Sequence, residues 1–186
     1  MRRSTVLVLG AAALVLAACE IRTDYDLRIA DNTRATLVFE IGYDEEAAEL
    51  FGPAESFLEE EVEGAVGPDI EGVTLVSAEA DQRVTATFEA RDGQALDRLV
   101  ADMFPGSSFT NQTGSTWVLA LRPDADVAED FGDEFALEEL GLDVLSGEVR
   151  VDHAGSQVSV TGGTTGDGNQ VLWNPYGGDS LEVVMD

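Results

Sequence analysis

Ala35, Leu37, Phe39, Ile41 and Tyr43 alternate with Thr36, Val38, Glu40 and Gly42, and this two-residue rhythm recurs along most of the chain. Successive side chains of an extended strand point to opposite faces, so each such stretch predicts a strand with one apolar side. The same pattern carries Tyr25, Leu27 and Ile29 between Asp24, Asp26 and Arg28, and Val84, Ala86, Phe88 and Ala90 between Thr85, Thr87 and Glu89. Trp117, Leu119 and Leu121 repeat it, as do Val149 with Val151, Val158 with Val160, Val171 with Trp173, and Leu181 with Val183 and Met185. Strands apolar on one side only are those of antiparallel sheet with one face on a core and the other in water. Asp31-Asn32, Asp81-Gln82 and Asp167-Gly168 supply the turns.

Helical period is confined to short places. Ala95, Leu96, Leu99, Val100 and Met103 make one apolar stripe, stopped by Pro105-Gly106. The acidic stretch from Asp44 to Ala65 reads as a helix broken at Gly52-Pro53, with Phe57, Leu58 and Val62 inward, and Asp133 caps a third helix carrying Leu137 and Leu140. The expected fold is α+β: a curved antiparallel sheet of about nine or ten strands, partly open and barrel-like, covered by two or three helices. A one-faced sheet of that size must curl, close or hold something.

The N-terminus is different in kind. Met1-Arg2-Arg3 is followed by an apolar run from Thr5 to Leu16, which is too short for a comfortable membrane span. A positive start, a short apolar region and small residues before a cut site describe a secretory signal peptide. Leu16-Ala17-Ala18-Cys19 has the form of a bacterial lipobox, and Cys19 is the sole cysteine, with no partner for a disulfide. Residues 1–18 are therefore expected to leave as a lipoprotein signal peptide. The mature domain, 19–186, is expected to hang from the outer face of the cell membrane by acyl chains on Cys19, such as palmitate. Two chains hold a protein stably where one does so only marginally.

Charge excludes several functions. All ten basic residues are arginine, against 37 acids, for a net charge of −27. Without Arg2 and Arg3 the mature charge falls to −29. Nucleic-acid binding needs a basic stripe that this chain lacks. The carboxylates read as a hydrated surface suited to salt.

Catalytic signatures are missing. His153, the lone histidine, stands between Asp152 and Ser156, but strand alternation turns Asp152 to the other face, so no triad forms and the histidine is expected at a hairpin surface. No G-x-S-x-G elbow surrounds any serine. Asp124-Ala125-Asp126 opens like a calcium loop and fails at Ala128 and Glu129, while Gly162 to Asp167 reads as a glycine-rich hairpin tip. No catalytic residue, metal ligand or cofactor follows, and a non-enzymatic protein is expected.

The lipobox, the opening strands Asp24-Tyr25-Asp26-Leu27 and Thr36-Leu37-Val38-Phe39, the strand Gly147-Glu148-Val149-Arg150-Val151 with its turn at Ala154-Gly155, and the Trp-bearing Val171-Leu172-Trp173 come in a telling order. This order resembles the LppM-type lipoproteins of actinobacteria. Ala154 stands where that family usually has proline, and the chain lacks the C-terminal transmembrane segment of many relatives. The resemblance implies an exported, lipid-anchored domain that binds an envelope lipid or lipoglycan. Phe39, Phe88, Trp117 and Trp173 are then the candidate ligand-binding wall of a groove on the apolar face. The alternative is a structural or interaction lipoprotein with a closed core that contacts other envelope proteins.

Overall fold

The computed structural model describes residues 21–30, 33–42, 53–57, 70–80, 83–123 and 145–186. Eleven strands and two helices lie among them, and the strands form two sheets rather than one. Sheet A has the order β3-β4-β2-β1-β7-β10-β9 and sheet B the order β5-β6-β11-β8. In sheet A, β1 (Ile21–Ile29) pairs antiparallel with β2 (Ala35–Gly42), placing Tyr25 opposite Phe39 and Leu27 opposite Leu37. β2 pairs with β4 (Arg83–Ala90), and β4 with the edge strand β3 (Val73–Ala80). On the other side β1 runs parallel to β7 (Leu145–His153), which pairs with β10 (Gln170–Trp173), and β10 with the short β9 (Thr164–Thr165).

The purely antiparallel expectation is thus corrected: one parallel pair sits at the centre of a mixed sheet. Parallel neighbours need a long crossover, and most of the chain lies between β1 and β7. The sheet is open, as expected: β3 and β9 end sheet A without meeting, and no closed barrel forms among the described strands.

Sheet B joins β5 (Ser108–Thr113), β6 (Thr116–Leu121), β11 (Leu181–Met185) and β8 (Gln157–Thr161). Its Leu119, Leu121, Leu181 and Val183 share one core with Leu27, Leu37, Phe88, Val149, Val151 and Val171 of sheet A. The other half of the apolar face is closed by α2 (Gly93–Met103), which lies against β3, β4 and β5 and buries Ala95, Leu96, Leu99 and Val100, as its stripe foretold. A second helix, α1 (Ala54–Phe57), is a single turn against β3. The remainder of the acidic helix, the Asp133 helix, the Asp31-Asn32 and Asp81-Gln82 turns, and residues 1–20 with Cys19 lie outside the described residues.

The chain passes between the sheets at glycines. β8 belongs to sheet B and β9 to sheet A, and between them Gly162 takes φ +80 with its backbone pressed on the Ser180 carbonyl, where a Cβ has no room. Gly162 and Gly163, read as part of a hairpin tip, are therefore a sheet-to-sheet crossing, while Gly166 and Asp167 do lie at the tip of the β9–β10 hairpin, closed by Gly166 N–H donating to the Gln170 carbonyl at 2.8 Å. Gly155 does the same between β7 and β8, its backbone packed on the Asp186 carbonyl.

Candidate functional site

The outward face of sheet A is a ladder of charged and hydroxyl side chains. Near one end a single cross-strand row runs Thr74, Glu89, Thr36, Arg28, Asp152, over β3, β4, β2, β1 and β7 in turn. These five residues line a half-open hollow of about 550 Å³, closed by Arg34 from the return into β2, by Arg91 from the junction of β4 and α2, and by Gly72, Ala30 and Ala154. The β1–β2 connection that shapes its wall is held by Ala30 N–H donating to the Arg34 carbonyl at 2.8 Å and Thr33 N–H to the Ala30 carbonyl at 2.9 Å, with Thr33 at φ +63.

Arg28 Nη2 donates to Asp26 Oδ2 at 2.6 Å. That bond and the Asp26 charge raise the Arg28 pKa further above its ordinary value, and Asp152 adds to the effect. Arg91 bridges Asp92 at 3.2 Å and Glu71 at 3.5 Å, and both pairs are exposed.

A smaller hollow of about 210 Å³ adjoins it through the shared Ile29 and Ala30. Its walls include Trp117, stacked on Phe109 with centroids 4.8 Å apart and planes 8° apart, together with His153, Met185 and Asp186. His153 is only 2% exposed, so the expectation of a surface histidine is corrected: it faces inward at the end of β7. Its Nδ1–H donates to the Gly155 carbonyl at 3.0 Å, and Nε2 has no hydrogen-bond partner among the described residues. Asp152 lines the outer hollow and His153 the other, as alternation requires.

The four aromatic residues picked from the sequence do not converge on a groove. Phe88 is fully buried under the core. Trp173 is 4% exposed, its indole N–H donating to the Asp179 carbonyl at 2.7 Å. Half-buried Phe39 belongs to a chain of ring contacts through Tyr25 (5.3 Å) and Phe104 (4.9 Å) to Trp173 (6.1 Å). Trp117 lines the smaller hollow. The apolar face is packed because α2 and sheet B cover it from both ends, which periodicity within single strands cannot reveal.

Arg28 with Arg34, Glu89 with Arg91, and Asp152 escaped sequence reasoning, since these three stretches are far apart in the chain and meet only through strand register. The one signal that could have found them is the scarcity of arginine itself. Among the described residues no group of three or more His, Cys, Asp or Glu is placed to hold a metal ion.

No family model matches the sequence, and no curated protein sequence matches it. Among solved structures, the NMR structure of the folded domain of Mycobacterium tuberculosis LppM aligns with a TM-score of 0.53 and 14% identity, over 90% of this chain and 90% of that one. At such low identity the likeness is one of architecture, and the chain has an LppM-like fold.

Proposed function

We infer that this chain is an exported lipoprotein of the LppM type, held at the outer face of the cell membrane by acyl chains on Cys19, whose domain binds an envelope lipid or lipoglycan and performs no reaction. The lipobox and the LppM-like fold support the anchor and its compartment. The observation that carries the binding reading is the hollow of about 550 Å³ at the end of sheet A, within the size range of ligand sites. Its place moves the ligand away from the apolar interior, where Phe88 and Trp173 are already committed to packing.

Native mass spectrometry of the lipid-anchored protein taken from its own membrane tests this. A stoichiometric co-purifying lipid or lipoglycan is expected. Protein free of ligand in every preparation overturns the binding reading and leaves the second: an interaction lipoprotein. The packed core shared by sheets A and B and α2 favours that alternative.

A further inference from the structure

We propose that the smaller hollow beside Trp117 binds an organic ammonium group. This rests on the binding reading above and names the chemistry of one end of the ligand, the remainder lying in the adjoining larger hollow.

The first reason is an acceptor without a donor. His153 lines the hollow and is 2% exposed, so it belongs to the floor rather than the rim. The Gly155 carbonyl can only accept, so the ring hydrogen sits on Nδ1, 3.0 Å from it, and Nε2 is left with a lone pair. Asn169 Nδ2 holds that corner, donating to the Gly155 carbonyl at 2.8 Å and to the His153 carbonyl at 3.1 Å. Nε2 is buried and has no partner among the described residues. A buried acceptor left alone costs stability, which an N–H from a ligand recovers.

The second reason is the sign of the lining. All eight arginines that follow residue 18 lie among the described residues, and none of them lines this hollow. Asp186 does line it. Its Oδ1 accepts from the Thr116 hydroxyl at 2.6 Å, a neutral partner that leaves the negative charge standing. The larger hollow supplies no free cation either, since Arg28 is bonded to Asp26, Arg91 pairs with Asp92 and Glu71, and Arg34 is engaged as well. In a chain of net charge −27, a positively charged donor is favoured over a neutral hydroxyl.

The third reason is the wall and its size. Phe109 stacks on the Trp117 ring, and Gly93 packs so close to its edge that a Cβ there would stand 2.7 Å from Cη2. The half-buried indole still keeps surface for the hollow, and an indole face attracts an ammonium. The volume, about 210 Å³, falls below the roughly 300 Å³ at which pockets for drug-sized ligands begin. The occupant is therefore a small group, and the rest of its molecule reaches the larger hollow across Ile29 and Ala30.

Full-length lipidated protein in non-ionic detergent is titrated with ethanolammonium chloride against sodium chloride at constant ionic strength, at about pH 8, where an ordinary imidazole is neutral. NMR follows His153 Nε2 and the indole N–H signals. Saturable shifts at His153 and Trp117, without matching shifts at Trp173, are expected. Tetramethylammonium, which has the charge but no N–H, should bind about tenfold more weakly or worse. Asp186→Asn should weaken ethanolammonium about threefold or more with unchanged circular dichroism, and Glu79→Gln, at the other end of β3, should leave it unaltered. Shifts that rise without saturating, equal binding of tetramethylammonium, or an equal loss in Glu79→Gln overturn the proposal. A parallel titration with dihexanoyl phosphatidylethanolamine separates a lipid headgroup from a free amine, the tighter binder naming the source. If ethanolammonium fails while a lipid still co-purifies, this inference falls and the binding reading stands; if both fail, both fall. If ethanolammonium saturates and no lipid co-purifies, the site stands as one for a free amine and the envelope-lipid reading falls.

Discussion

Asp92 closes the N-terminus of α2, its Oδ1 accepting from Ala95 N–H at 2.9 Å and Gln94 N–H at 3.1 Å. The Ala95 bond, with Arg91 and Gln94 adding to it, holds the Asp92 carboxyl below its usual value of 3.8. A carboxyl depressed in the folded state adds stability above its unfolded pKa and loses it as pH falls through the folded value. Asp92→Ala should therefore melt lower than wild type at pH 7, with the gap closing below pH 3.8 in thermal scans, while Asp92→Ser, which keeps the cap, should recover most of the loss. Phe88 tests packing at the same scale. Having no exposed surface, Phe88→Ala should cost about 3–5 kcal/mol through lost burial and a residual cavity. Urea unfolding should show a lower midpoint at unchanged slope; a loss under about 1 kcal/mol would mean that the ring borders open space after all.

Among the elements, β3 and the β8–β9 crossing show how backbone detail decides a layer. In β3 the pairing with β4 shifts between Leu75 and Ser77, and Val76 bulges outward to 54% exposure. Val73 and Leu75 before the bulge, and Ala78 and Ala80 after it, keep contact with the core only because the extra residue resets the phase. At the crossing, Gly162→Ala forces a Cβ toward the Ser180 carbonyl at a positive φ. A loss of about 1–3 kcal/mol is expected by urea unfolding, with Gly168→Ala, at φ +70 with nothing near its Cβ, paying only the backbone part.

On the scale of the whole molecule, charge dominates. The pairs made by Arg22, Arg28, Arg83, Arg91, Arg98 and Arg150 leave those arginines 42 to 69% exposed, and exposed pairs cannot offset the repulsion among 37 acids. The melting temperature should rise steadily as sodium chloride goes from about 0.01 to about 1 M, over which the screening length shrinks from about 30 to about 3 Å. Calcium and magnesium should act at lower concentration and alike; a saturable micromolar calcium effect that magnesium cannot mimic would contradict diffuse screening. The anchor is a separate matter: Cys19→Ala should release the protein from membranes and abolish labelling by palmitate analogues, leaving the circular dichroism of the domain unchanged.

Much of this protein is legible in local pattern. The strands holding Leu27, Leu37, Phe88, Leu119, Val151, Val171 and Val183 announce themselves by alternation, and α2 by its stripe, because the side-chain period of each element is a property of its own backbone. β3 was not legible, since the Val76 bulge breaks the rhythm, nor was β5, whose edge position leaves Phe109 as its one buried residue. Register and pairing between distant segments are tertiary matters, settled by which surfaces fit together. They set β1 parallel to β7, divided the strands between two sheets, spent Phe88 and Trp173 on the core, and brought Arg28, Arg34 and Arg91 to one hollow. The sequence by itself determined the lipobox, the acidity and the apolar face of each strand, which depend on neighbours in the chain. Only the tertiary structure decided what covers that face and where the few cations meet, because both depend on contacts between residues far apart in the chain.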